Sequence, residues 1–207
     1  MGFYTEHCLP HLIDITCRQP LFAEQRKNIV PLATGIVLDV GFGSGLNLPY
    51  YRANAINQLW ALEPSQGMRQ KALKNVVKNK LFFELHWLAL PGEEIPLDSN
   101  SVDTIVLTYT LCSINNSEQA LRQMYRVLKP GGRLLFCEHG LASELNVIGW
   151  QNKITPFWKL VAGGCHLNRN VSEILVQSGF KMIYLKTEYL ARTPRWLGFH
   201  YSGCAKK

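Results

Sequence analysis

The sequence predicts an α/β fold: a seven-stranded, doubly wound and mostly parallel sheet with helices on both faces. Three observations predict it. Short apolar runs recur near residues 35–40, 57–63, 82–88, 102–109 and 132–138 with helical patterns among them, the alternation expected of parallel strands joined by right-handed crossovers. The first run, Val37-Leu38-Asp39-Val40, feeds directly into Gly41-Phe42-Gly43-Ser44-Gly45, a strand that ends in a glycine turn. Later, Leu121 to Leu128 carries apolar residues at 121, 124, 127 and 128 and runs into Lys129-Pro130-Gly131-Gly132, an amphipathic helix followed by a stop signal.

Taken in order, an amphipathic helical lead-in over 9–30, interrupted by Pro20, precedes the first strand. A helix, a strand, a helix and two strands follow, the last of them Ser101 to Leu107. Then come the Leu121–Leu128 helix, the strand Arg133 to Cys137 and two further helices. Phe180 to Tyr189 and Leu197 to Ala205 supply a closing strand pair. The 207 residues suit one domain: a lead-in (1–32), a core (33–140), a segment that recognises the second ligand (141–170) and a closing part (171–207).

Composition narrows the function. Charged residues make up 18% and apolar ones 47%, which is globular and not disordered. No window of about 18 apolar residues occurs. The first residues include Glu6, His7, Pro10, His11 and Asp14, which argues against a secretory signal and for a cytoplasmic protein. Cysteines 8, 17, 112, 137, 165 and 204 show no C-x-x-C spacing, so buried free thiols are expected and no metal site. The net charge of +7 invites nucleic-acid or membrane partners, but Lys71, Lys74, Lys78 and Lys80 line one helix and its end, as on a solvated face. No RNA-binding motif accompanies them, so no nucleic-acid partner is expected.

The glycine turn carries the chemistry. Glycine accepts positive φ and lacks Cβ, so Gly41, Gly43 and Gly45 allow a tight turn and close approach of a ligand to the main chain. A dinucleotide fingerprint would place its third glycine one position later; the spacing here favours S-adenosylmethionine. Glu63 closes a second apolar run about 20 residues on, where a carboxylate can accept from both hydroxyls of a ribose.

The turn, Glu63, the Val102-Asp103 strand and the Leu-Lys-Pro-Gly-Gly stop, in that order over roughly residues 33–140, resemble the class I S-adenosylmethionine-dependent methyltransferases. More narrowly, Leu9 to Asp14, Gly43 to Pro49, Thr110 to Ile114, Glu138-His139-Gly140 and Gly163 to Arg169 look like a bacterial group related to the animal methyltransferase-like 7 thiol methyltransferases. The resemblance implies a Rossmann-like sheet with an antiparallel last strand and S-adenosylmethionine as cofactor. It implies cofactor contacts from Asp39, Gly41, Gly43, Gly45, Glu63, Pro64, Gly92, Glu93 and Thr108. Animal relatives carry a hydrophobic anchor at the N-terminal end, and this chain is expected to lack one. One departure stands out: where the family often has an Asp followed by a small residue to contact adenine, this chain has Pro91, so backbone groups or Glu93 would meet the adenine edge.

Methyl transfer requires alignment and exclusion of water more than acid-base machinery. His139, at the tip of the fifth strand, is a candidate base, with a structural histidine as the alternative. Tyr109 can orient an acceptor or simply pack. Between Leu141 and Arg169, an apolar stripe (Trp150, Ile154, Phe157, Trp158, Leu160, Val161, with Lys153 and Lys159) suits a hydrophobic acceptor, a membrane surface or packing on the sheet. The Gly163-to-Arg169 stretch reads as a lid in which His166 and Arg169 orient the acceptor and Cys165 lines its pocket. The expected acceptor is a small thiol or another lipophilic molecule. The alternatives are amino headgroups of phospholipid at a membrane surface and a non-catalytic cofactor-binding module.

Overall fold

The computed structural model describes residues 8–207; Glu6 and His7 lie outside the described residues. Strands β1 (Gly35–Val40), β2 (Ile56–Leu62), β3 (Glu84–Leu88), β4 (Val102–Thr108), β5 (Leu128–His139), β6 (Lys181–Tyr189) and β7 (Phe199–Lys206) form one sheet in the order β3-β2-β1-β4-β5-β7-β6. The first five are parallel. β7 runs antiparallel to both β5 and β6. The seven-stranded, doubly wound sheet with an antiparallel last strand is thus present.

Strand alternation sorts the core into two layers. Leu38 and Val40 of β1, Ile105 and Leu107 of β4, and Leu134 and Phe136 of β5 face one side, where they meet α4 (Ser117–Val127), α5 (Leu145–Val161) and α6 (Val171–Gln177). Val37, Leu59, Ala61, Val106, Leu135 and Cys137 face the other, against α2 (Pro20–Ile29) and α3 (Gln66–Asn79). Period-two side chains on a doubly covered sheet produce this division. α4 buries Ala120, Leu121, Met124 and Val127, and Asn116 caps its start by accepting from the Gln119 amide. Pro20 opens α2, and the lead-in breaks between it and α1 (Leu9–Cys17). α7 (Arg195–Gly198) is a single turn between β6 and β7.

Two elements differ from expectation. The connection from β1 to β2 contains no α-helix; after the glycine turn it makes one 3-10 turn, Leu48–Tyr50, because glycines and Pro49 interrupt every helical window there. β5 starts at Leu128, which pairs with Val102 across a register shift. Lys129 therefore does not serve the end of α4; it pairs with Asp103 at 2.7 Å. The lysine face is largely solvated, with Ala72 the buried residue of α3, and Lys71 meets His11 at 2.7 Å.

Under the glycine turn lies a buried charge. Asp39, expected to contact the cofactor, is fully buried on β1 and accepts from Asn47 Nδ2 (3.0 and 3.2 Å) and Tyr51 Oη (2.8 Å). Burial pushes its pKa up to about 6 against these donors. The folded state thus holds this proton more tightly than the unfolded chain. The associated stability is complete below the ordinary Asp pKa and is lost as pH rises through the raised one. In denaturant unfolding, the stability of the wild type relative to Asp39→Asn should fall by up to ~3 kcal/mol between about pH 4 and about pH 6.5; a pH-independent difference would refute the buried charge.

Candidate active site

β1 has β2 on one side and β4 on the other, so the connections leave in opposite directions and open a crevice at the carboxyl ends of the strands. A cavity of about 890 Å³ fills it, lined from β1 by Val40 to Ser44, from β2 by Leu62 to Ser65, from β4 by Thr108 to Thr110 and from β5 by His139. α1 roofs it, with Leu9, Ile13 and Asp14 on the wall.

In one half of the cavity the glycines have separate tasks. Gly41 (φ +69°) passes so close to the loop after β4 that a Cβ would collide with the Thr110 side chain. Gly43 (φ +58°) lines the cavity, and a Cβ there would meet nothing nearer than Met68 at 3.6 Å. Its missing side chain is open ligand space. Glu63 accepts from the Gly43 amide and the Ser65 amide, each at 2.8 Å. Burial raises its pKa, and these amides oppose the rise. Each carboxylate oxygen keeps a second lone pair for a ligand hydroxyl. Pro64, Gly92 and Glu93 share the lining with Pro91. The Glu93 carboxylate accepts from the Asn116 amide at 3.0 Å. Thr108 exchanges hydrogen bonds with Asn47.

The other half is built from sulfur, imidazole and aromatic rings. His139 Nε2 lies 3.1 Å from Cys165 Sγ, and Trp158 Nε1 donates to the same sulfur at 3.3 Å. Cys112 approaches from the loop after β4, and the ligand-type atoms of Cys112, His139 and Cys165 all lie within 4.8 Å of one another. The hydrogen bond from Cys112, with help from His139 and Trp158, pushes the Cys165 pKa down to about 4 despite burial. The same bond and burial push Cys112 well up. Burial alone would lower His139, but the Cys165 charge and hydrogen bond outweigh it and leave its pKa raised.

Several expected site residues lie outside the cavity lining. Asp39 and Gly45 do not line the cavity: alternation along β1 turns Asp39 to the buried side, and Gly45 lies behind the turn. His166 and Arg169 are also outside the lining. Arg169 donates to the carbonyls of Leu111 and, at 2.7 Å, Ile114. The His166 amide donates to the Cys112 carbonyl at 2.8 Å, and its Nδ1 lies 3.1 Å from the same oxygen. Both residues bind the loop after β4 to the turn after α5.

Tyr109 lines the cavity with its ring, but its hydroxyl accepts from the Cys137 thiol at 3.3 Å. Its φ of +55° turns the side chain back toward α2, where Phe22 meets it edge-on at 4.8 Å and Arg26 lies 5.0 Å above it. Sequence reading also missed contributors. Asp14 of α1 accepts from Ser44 of the glycine turn and from Arg18 at 2.9 Å, and Asn47, Arg26 and Cys112 join the lining, beside the expected Trp158.

A glycine turn thus faces a chamber of sulfur, imidazole and aromatic groups across one cavity, and comparison with known proteins shows which family has this fold. A methyltransferase-domain family matches residues 38–136. Thiol S-methyltransferase TMT1A of Homo sapiens is 30% identical over 182 residues, 86% of this chain and 72% of that protein. The chain belongs to the S-adenosylmethionine-dependent methyltransferases. Another relative of this methyltransferase is the ubiquinone/menaquinone biosynthesis C-methyltransferase UbiE of Idiomarina loihiensis, 29% identical over 104 residues, 49% of this chain and 41% of that protein. A solved S-adenosylmethionine-dependent methyltransferase from Aquifex aeolicus shares its fold, with a TM-score of 0.65 and 21% identity over 95% of this chain and 97% of that one.

The donor half of the methyltransferase fits its cofactor: Gly43 leaves backbone open to a ligand and Glu63 keeps acceptor capacity beside it. Gly43→Ala should weaken S-adenosylhomocysteine binding by at least ~10-fold in calorimetry, about 1.4 kcal/mol, while thermal unfolding shows only the ~1–2 kcal/mol of a left-handed alanine. Gly41→Ala should instead destabilise the fold through the Thr110 collision. Unchanged affinity in Gly43→Ala would overturn the donor-site assignment.

Proposed function

We propose that the enzyme methylates a small, lipophilic thiol. The observation that carries this reading is the Cys112, His139 and Cys165 cluster at the far end of the cavity that begins at the donor turn. S-adenosylmethionine supplies a methyl carbon activated by its sulfonium. Gly41, Gly43 and Glu63 bind its nucleoside part, with Pro64 beside them; Gly92 and Glu93 meet the adenine edge in place of the usual Asp, and Thr108 and Asn47 lie toward its methionine part.

The chain's remaining task is to align an acceptor and release one proton from it. A thiol demands least of the available groups, because its pKa is about 8.5, well below that of a phenol or an alcohol. Phe22, Tyr109, Trp158 and Leu197 give that end an apolar wall, and Cys165 and His139 give it polarisable and basic atoms. His166 and Arg169 act at one remove, as positioning residues for the loops that carry Cys112 and Cys165. The relative named as a thiol S-methyltransferase supports the same acceptor class.

Titration with S-adenosylmethionine and S-adenosylhomocysteine, followed by a labelled-methyl assay on alkyl and aryl thiols, catechols, amines and quinone precursors, tests this. Donor binding and transfer to thiols are expected. His139→Ala should lower kcat/KM for thiols by ~10²-fold or more while leaving donor affinity unchanged. Transfer to catechols or amines in preference to thiols would overturn the acceptor assignment.

The surface favours entry of such an acceptor from a membrane. Trp150, Phe157 and Leu160 of α5 and Leu12 and Ile15 of α1 are exposed, on a chain of net charge +7; none of the described helices is long and apolar enough to cross a bilayer. Apolar side chains among cations suit the interface of an anionic bilayer. The protein should co-sediment with phosphatidylserine liposomes at low salt and release as salt rises. Absence of binding at low salt would remove the membrane route.

A further inference from the structure

Cys112, His139 and Cys165 come from three separate parts of the chain: the loop after β4, the tip of β5 and the turn after α5. No local spacing joins them, which is why the sequence predicts no metal site. In the folded protein all three are buried, their side-chain donor atoms converge within 4.8 Å, and each lines the cavity. Two thiols and an imidazole, with no carboxylate among them, form a soft donor set. A tetrahedral zinc with bonds of about 2.3 Å to sulfur and about 2.0–2.1 Å to nitrogen holds its ligand atoms roughly 3.5–3.8 Å apart. The observed spacing requires only small side-chain rotations to reach that. Three protein ligands with a fourth position opening on a cavity is the arrangement of a reactive zinc site, whereas a structural zinc site is closed by four.

We propose that Cys112, His139 and Cys165 bind one zinc ion, and that its open position takes the acceptor thiol as thiolate. The second half of this proposal rests on the thiol reading above; the first half stands on the ligand geometry alone.

The surroundings are built to hold such a set in place. The backbone amide and Nδ1 of His166 both meet the Cys112 carbonyl, at 2.8 and 3.1 Å. Arg169 clamps the carbonyls of Leu111 and Ile114 on either side of Cys112. From below, Glu138 accepts from the amides of Thr110 (2.7 Å) and Leu111 (3.1 Å). Trp158 donates to Cys165 Sγ at 3.3 Å, an outer contact of the kind that orients and tunes a thiolate ligand. The two cysteine loops are thus tied to each other independently of the three side chains. A preorganised site of this kind loses little freedom when the ion enters.

The chemistry balances without a redox partner. On metal loading, whatever protons the two sulfurs and the imidazole still carry pass to solvent, so that both cysteines bind as thiolates and the imidazole through a neutral nitrogen. An acceptor R–SH then enters the fourth position: its sulfur lone pair forms the bond to zinc, its S–H bond breaks, and the proton passes to water in the cavity. A coordinated thiol is deprotonated outright at neutral pH, so the acceptor sulfur is held as a nucleophile in the donor's own cavity. A lone pair of that sulfur forms the new carbon–sulfur bond as the methyl–sulfonium bond of the donor breaks and S-adenosylhomocysteine leaves; the methylated product is a neutral thioether, a weaker ligand than the thiolate, which favours exchange for the next acceptor.

The test uses the full chain, reduced with a phosphine and freed of metal by a chelator, then titrated with cobalt(II). The expected result is one equivalent bound, with a thiolate-to-cobalt charge-transfer band and the strong visible bands of tetrahedral cobalt, both displaced by zinc. Cys165→Ser and Cys112→Ser should lose the charge-transfer band at stoichiometric cobalt, whereas Cys8→Ser, away from the cavity, should keep it; S-adenosylhomocysteine binding by each variant confirms that it is folded. A small alkyl thiol should shift the visible bands, and the matching alcohol should not.

No charge-transfer band in the reduced wild type, or one that survives in Cys165→Ser, overturns the site. Cobalt bands that no thiol shifts overturn the role of the open position. Chelation should lower thiol methylation by at least ~10-fold, with recovery on adding zinc. Undiminished methylation of thiols by metal-free protein would overturn the metal's part in the reaction while leaving the thiol assignment intact. Failure to methylate thiols in any metal state would count against that assignment instead.

Discussion

The site depends on a single buried carboxylate. Asp39, next to the last residue of β1, has no solvent to share its charge, and its two oxygens are held by Asn47 and Tyr51 from the segment that follows the glycine turn. Asn47 also reaches Thr108 at the end of β4. One hydrogen-bonded chain therefore joins β1, the glycine turn and β4 across the point where strand order reverses. A charge taken out of water is tolerated only when such partners are in place, so the turn is anchored in the geometry that leaves Gly43 open to the cavity. The Glu63 contact with the Gly43 amide fixes the far side of the same turn.

The Cys165 end of the cavity uses a different strategy. No buried carboxylate lines it among the residues closest to Cys165; Glu138 lies beneath, holding loop amides. Stiffness comes from main-chain carbonyls gripped by Arg169 and His166. Hydrogen bonds from a charged guanidinium to buried carbonyls are among the stronger polar contacts, and they leave the cavity-facing atoms of Cys112, His139 and Cys165 free to act on a ligand. The antiparallel β7 adds a neighbour to β5 from Arg133 to His139, pairing His139 with His200. Burial pushes the His200 pKa down to about 4, so the partner beside His139 is neutral at physiological pH.

Much of this was legible in the sequence wherever a period or a spacing carries the information. β1 coincides with its apolar run at 35–40. α4 shows its buried stripe at 121, 124 and 127, and the glycine turn and Glu63 announce a donor site. Side-chain direction in irregular backbone was not legible. Nothing in the sequence sets Tyr109 at φ +55°, and that one left-handed residue sends its hydroxyl to Cys137. His166 and Arg169 carry the right chemistry for an acceptor site, yet the turn after Gly164 points them at carbonyls. Cys112, His139 and Cys165 converge only through tertiary structure, from loops that share no spacing rule. The absent helix after β1 illustrates the converse: glycines and proline outweigh the expectation of strict alternation.

α1 gives the enzyme one roof over two compartments. Asp14 reaches down to Ser44 of the glycine turn, and Leu9 and Ile13 rest near Gly163 at the start of the turn after α5, close enough that a Cβ there would touch Leu9 at 3.1 Å. Both ends of the cavity thus lie under one helix of nine residues, of which Leu9, Pro10 and Asp14 are buried. Whatever displaces α1 therefore disturbs the glycine turn and the turn after α5 together.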